Sequence, residues 1–346
     1  MGRSSPRRRG PRRRGLQLER SSSPNGDHAH HQQHQYATPL PKPYMKQVKL
    51  HPSGCQQWSS QTVAAGGTYM AYASTLTTYV YDARDFSLVT ILGGNDCNVH
   101  SLLWHPTNSH RVLVFSNNGR GSEWDVRSEK RVADFDVGAP PACSAWDPVN
   151  PANLAVVSRG ANETHLMRNE DSGRGGFCRG YTRRSSDQSL RATCTKWSQY
   201  EYGTLVTGWT DGRVSFSEAS ASSGNGGGKG GKTKLVFPAE ECGSVVDLSR
   251  HDPNGGPYVL VGYSSGTVVL WDAAGHCSIA TFDRCIVGLA GIRWMAWAPG
   301  NFLALSSKSG VAKMFNISQK HPIGTVKLGE TGSGVRDMAW LPSQAR

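Results

Sequence analysis

Apolar residues come in short runs along the chain, in a phrase that repeats. A tryptophan stands before a turn, an apolar stretch of strand length comes next, then a turn with glycine, then a stretch ending in an aromatic residue or Trp-Asp. Leu103-Trp104-His105-Pro106 leads in this way to Glu123-Trp124-Asp125, and Ala296-Trp297-Ala298-Pro299 leads to Met314-Phe315-Asn316. Between them stand Ala145-Trp146-Asp147-Pro148, Lys196-Trp197-Ser198 and Leu270-Trp271-Asp272. The pre-turn tryptophans Trp104, Trp146 and Trp197, and again Trp297 and Trp340, recur every ~40–50 residues, the period of a four-stranded β-propeller blade.

Six blades are expected. The first runs from Trp58 through 69–73, 78–81 and 88–92. The second spans 101–135, and the third begins at Ala142 and includes 153–157. The fourth begins near Thr193 and includes 204–209 and 213–216. The fifth includes 258–262 and 267–271, and the sixth 302–306 and 311–315. Third strands are expected to end near Tyr81, Trp124, His165, Phe216, Trp271 and Phe315. Gly119, Gly160, Gly212, Gly266 and Gly310 give an independent register, because each falls between a second and a third strand, where a tight hairpin needs positive φ.

Residues 335–341 open a further unit as an orphan strand. Either residues 47–50 close a six-bladed ring, or the chain is part of a longer seven-bladed or double propeller; the second is the expectation. A ring left open exposes strand edges, so residues 1–346 alone are expected to self-associate.

With Trp124-Asp125 and Trp271-Asp272 intact, and Tyr81-Asp82 and Phe315-Asn316 as degenerate copies, the blades resemble those of the WD-repeat propellers. A narrower likeness within that family rests on Leu50-His51-Pro52-Ser53-Gly54-Cys55-Gln56-Gln57-Trp58, Gly208-Trp209-Thr210-Asp211-Gly212 and Phe315-Asn316-Ile317-Ser318. It covers roughly residues 47–342 and implies a longer chain with two propellers. The resemblance brings no catalytic residues.

Charge alters the picture only at one end. The net charge is +12, but residues 1–50 hold 11 Lys/Arg against Glu19 and Asp27, leaving the remainder at +3. Residues 1–46, rich first in Arg, Pro and Ser and then in His and Gln, are expected to form a disordered tail. The arginine clusters 7–9 and 12–14 suit nucleic acid through residues 1–20, nuclear import, or an organelle-targeting segment. Insertions are expected at 171–187 and 220–232. No stretch approaches the ~18 apolar residues of a membrane span. Eight scattered cysteines without a Cys-x-x-Cys pair point to a reducing compartment, cytoplasmic or nuclear.

Two motifs suggest enzymes. Residues 226–233 (GGGKGGKT) match the phosphate-binding P-loop, yet Leu235-Val236-Phe237-Pro238 after them reads as a short strand rather than a helix. Gly262-Tyr263-Ser264-Ser265-Gly266 matches the nucleophile elbow, which must join a strand to a helix; here both flanks read as strands. The tail histidines have no scaffold for a metal. The sequence therefore indicates a non-enzymatic scaffold for other proteins, with no cofactor and no small-molecule substrate. Its candidate partner face comprises Asn117, Arg120, Arg159, Trp209, Asp211, Ser264 and Lys308. Ser185 and Ser186, after Arg183-Arg184, are candidate phosphosites.

Overall fold

A computed structural model describes residues 61–160, 163–169, 177–184, 187–219, 233–238, 241–249, 256–297, 300–318, 320–327, 334–335 and 337–341. The chain divides between Pro41 and Lys42 into two units, and all described residues belong to the second. The predicted tail (1–46), the start of the first blade at Trp58, the 220–232 insertion and Ser185 and Ser186 lie outside the described residues.

The described residues form six four-stranded antiparallel sheets in the simple order first to fourth strand, and no helix. The first blade is β1 Val63–Gly66, β2 Tyr69–Ala73, β3 Thr78–Asp82 and β4 Leu88–Leu92. The second is β5 Val99–Trp104, β6 Arg111–Ser116, β7 Arg120–Asp125 and β8 Lys130–Asp136. The third is β9 Pro141–Trp146, β10 Asn153–Ser158, β11 Glu163–Asn169 and β12 Phe177–Arg184. The fourth is β13 Ala192–Trp197, β14 Thr204–Trp209, β15 Val214–Glu218 and β16 Thr233–Phe237. The fifth is β17 Val245–Leu248, β18 Tyr258–Tyr263, β19 Val268–Asp272 and β20 Cys277–Phe282. The sixth is β21 Leu289–Trp297, β22 Gly300–Ser307, β23 Val311–Asn316 and β24 His321–Lys327. The six-bladed propeller read from the sequence is the fold.

The repeated residues earn their positions. Trp104 and Trp146 end inner strands and reach across the following hairpin, their Nε1 donating to Ser109 O (3.0 Å) and Pro151 O (2.6 Å). The residue after each tryptophan then accepts from the turn: His105 Nδ1 from Asn108 N, and Asp147 Oδ1 from Val149 N. The aspartates of the Trp-Asp and Tyr-Asp pairs do the same at the hairpin between third and fourth strands. Asp82 accepts from Arg84 N, Asp125 from Ser128 N, and Asp272 from Ala274 N. A short carboxylate that satisfies turn N–H groups favours the turn over continued strand.

Apolar side chains of neighbouring blades interdigitate. Val112, Val114 and Leu102 of the second blade pack on Ala71, Ala73 and Val80 of the first, and Trp271 of the fifth stacks on Phe237 of the fourth, with centroids 4.4 Å apart. Cys143 and Cys194 are buried in this core, and burial pushes the Cys143 thiol up to about 12. Native protein at pH 8 should therefore be alkylated by iodoacetamide at the exposed Cys277, with Cys143 and Cys194 modified only after denaturation. Peptide mapping that finds Cys143 among the fast sites would contradict the packing.

Four expectations need correction. Residues 171–187 are not all insertion, since β12 lies inside them. An outer strand needs few apolar anchors, and Phe177, buried against Phe135 and Trp146, is one. The third strand of the third blade runs past His165 to Asn169, because β12 continues to pair with it there. Trp297 is not the equivalent of Trp104. Trp294 pairs with Leu303 as Trp104 pairs with Val112, at the same distance from the turn glycine, and β21 simply runs on. Finally, residues 337–341 join no sheet, for want of a second strand beside them.

Those last residues nevertheless do a blade's work. In most inner strands the ladder slips by one residue near its start, at Val99/Ser101, Ala192/Cys194, Val245/Asp247 and Leu289/Gly291. As the edge of its sheet, an inner strand also leaves alternate N–H groups pointing away from its own ladder. In two blades such an N–H reaches a side chain of the preceding blade: Thr195 N donates to Cys143 Sγ (3.0 Å), and Ile292 N to Asp247 Oδ2 (3.0 Å). Val63 N of the first blade donates in the same way to Asp337 Oδ2 (3.1 Å). Asp337 also receives Arg293 Nη2 of the sixth blade at 2.5 Å, while Arg293 Nη1 holds Asp247 at 2.7 Å. Asp337 thus bridges the last blade to the first.

Candidate functional site

The hairpins between second and third strands share one end of the disc with the connectors from each fourth strand to the next blade. In the second to sixth blades the hairpin is tied to the connector before it by a backbone hydrogen bond. Asn117 N donates to Asn98 O (2.8 Å), Arg159 N to Pro140 O (2.9 Å), Thr210 N to Arg191 O (3.0 Å), Ser264 N to Ser244 O (2.9 Å) and Lys308 N to Gly288 O (2.8 Å). Five blades therefore place one side chain each at an equivalent, anchored position.

The turn glycines make this approach possible. All five predicted glycines have positive φ, from 73° at Gly160 to 90° at Gly212. The N–H groups of Gly119, Gly212, Gly266 and Gly310 close their turns onto Ser116, Trp209, Tyr263 and Ser307 carbonyls. A side chain at Gly119 would also collide with the backbone of Ala139, and one at Gly266 with the carbonyl of Ile286. Glycine is required there both for conformation and for close passage of the connector.

The structure brings together Asn117, Arg159, Ser264 and Lys308 from the predicted set; the last three are exposed and Asn117 is half-buried. Arg120 lies beside them, paired with Asp96 at 3.0 Å. Asp211 is spent locally, accepting from Arg213 N (3.0 Å) and the Arg213 guanidinium. Trp209 does not belong to the face. It is 9% exposed, packed in the core of the fourth and fifth blades, with Nε1 donating to Ser215 Oγ at 2.8 Å. The exposed residue of that turn is Thr210, which the sequence reading passed over. Counting two back from the turn glycine, as Asn117 stands to Gly119 and Ser264 to Gly266, would have found it.

Among connector residues, Val287 is 83% exposed while its carbonyl accepts from Ser307 Oγ at 2.5 Å, so an apolar side chain is held outward beside Lys308. Sequence patterning gave no sign of it. Ser264 sits in a hairpin between two strands, not at a strand-to-helix elbow, and residues 226–232 of the P-loop match lie outside the described residues. Among the described residues no group of three metal-ligating side chains comes together.

These features define a six-bladed β-propeller whose second and fifth blades carry Trp-Asp at the end of the third strand and whose turns share one face. No family model matches the chain. A chain of the crystal structure of the mitotic checkpoint complex is similar at 15% identity and a TM-score of 0.64, over 91% of this chain and 87% of that one. Solved chains of matching structure number 1756, so this likeness shows the fold and leaves function to the site.

Proposed function

We propose that the chain is a non-enzymatic scaffold that holds protein partners on the turn face, with Asn117, Arg120, Arg159, Thr210, Ser264, Val287 and Lys308 as contact residues. The observation that carries this reading is the five-fold anchoring of hairpin to connector. Side chains at anchored turns lose little freedom on binding, which is the main cost a flexible loop would bear. The likeness to a chain of the mitotic checkpoint complex is compatible with a role among protein partners. The narrower sequence likeness is to WD repeat-containing protein 17, and we propose that relationship on residues 50–58, 208–212 and 315–318.

The test is copurification from cells with the chain bearing Arg159→Glu and Lys308→Glu. Both residues are exposed, so stability should stay within about 0.5 kcal/mol of the unmodified chain. Proteins recovered with the unmodified chain and lost with the double variant would support the face. An unchanged set of recovered proteins would move the interaction elsewhere.

A further inference from the structure

All six inner strands, with residues 337–340, enclose a cavity of about 200 Å³ around the axis of the disc, toward the end opposite the turn face. Its wall is partly apolar, with Ala64, Leu103, Ala145 and Met338 among its residues. The acceptors in and behind the wall are already served. Gln61 Oε1 accepts from Ser144 N (2.9 Å), and Gln61 Nε2 donates to Ser144 O (3.1 Å). Asp337 takes Val63 N, Met338 N and Arg293 Nη2. Asp247, which holds Arg293 from the fifth blade, takes Leu248 N (2.9 Å), Ile292 N and Arg293 Nη1. What remains unmet is donors. Trp104 and Trp146 reach carbonyls of their own hairpins, but the buried Nε1 of Trp294 and of Trp340, both residues of the wall, has no acceptor among the described residues. Lys196 lines the same cavity, is 9% exposed, and makes no hydrogen bond or ion pair among the described residues. A buried ammonium without a partner is costly, so a wall of this kind calls for an acceptor that also carries negative charge.

We propose that the axial cavity binds a small monocarboxylate with an apolar body, about the size of benzoate, with its carboxylate against Lys196. Size supports the class: a cavity of ~150 Å³ admits benzene, and this one has room for a ring and a carboxylate. Charge limits it to one. Arg293 sits between Asp247 and Asp337, so that cluster keeps a net negative charge, which repels a dianion such as phosphate. Lys196 stands outside the cluster, on the fourth blade. The apolar part of the wall receives the body of the ligand. This site is separate from the turn face and stands without it.

Calorimetric titration of the full 346-residue chain with benzoate tests it, beside benzyl alcohol as the neutral analogue and inorganic phosphate as the small dianion. Saturable benzoate binding is expected, with benzyl alcohol and phosphate weaker. Lys196→Met should weaken benzoate more than about tenfold, because a hydrogen bond to a charged group is lost. The same variant should melt no lower than the unmodified chain, since the ammonium has no partner to lose. Should it melt early, indole N–H NMR signals of the unmodified chain give the second reading. Benzoate should shift those of Trp294 and Trp340, identified with Trp294→Phe and Trp340→Phe, and signals that stay in place overturn the proposal. A chain that binds no benzoate, its cavity holding water only, overturns it too. So does benzoate binding that Lys196→Met leaves intact, which would place the anion elsewhere, such as the basic residues 1–50. Phosphate bound as tightly as benzoate would also overturn it, by removing the role of the apolar wall.

Discussion

Replacing Asp337 with alanine should cost about 3–5 kcal/mol of stability, the usual penalty for removing one partner of a buried ion pair. The Asp337 side chain is 4% exposed and Arg293 22%, so the guanidinium left behind stays largely out of water. Three hydrogen bonds disappear together, from Val63 N, Met338 N and Arg293 Nη2. The first of these joins the two ends of the ring, so the loss is not confined to the C-terminal residues. Urea unfolding should show a lower midpoint with an unchanged slope. A change below about 1 kcal/mol would mean that residues 337–341 do not hold the first and sixth blades together.

The second large effect is expected at the turn glycines, and it should differ between two of them. At Gly160 a side chain meets nothing within 4 Å, so Gly160→Ala should cost only the left-handed backbone penalty of about 1–2 kcal/mol. At Gly266, φ is 87° and the added carbon would overlap the Ile286 carbonyl, which belongs to the connector carrying Val287. Relief requires that connector to shift, and a total of about 3–5 kcal/mol is expected for Gly266→Ala. Equal melting shifts for the two variants would show that the connector does not press on the turn.

A residue was legible in the sequence to the extent that its task constrains its chemistry. Tryptophans that cross hairpins, aspartates that cap turns and glycines that need positive φ are constrained in this way, so their spacing revealed blades and hairpins. β12 was hidden because an outer strand is half solvent-facing, and its Arg and Gly residues look like loop. Trp209 misled because it adjoins a turn in sequence while its ring points into the core. Thr210 went unnoticed because a small polar residue carries no signal, although the turn register marks its place. The role of Asp337 was beyond sequence pattern altogether. It depends on an N–H that faces outward from an edge strand far away in the chain.

The outward-facing N–H groups of the inner strands also bear on the order of the blades. The blades look like copies, yet the acceptor supplied to the next unit is a thiol from Cys143, a carboxylate from Asp247 and another from Asp337. Only the carboxylates also neutralise Arg293. Exchanging the third and fifth units would set a thiol where the guanidinium expects an anion. The order of the units is therefore written into their inner rim, and the blades are not interchangeable modules.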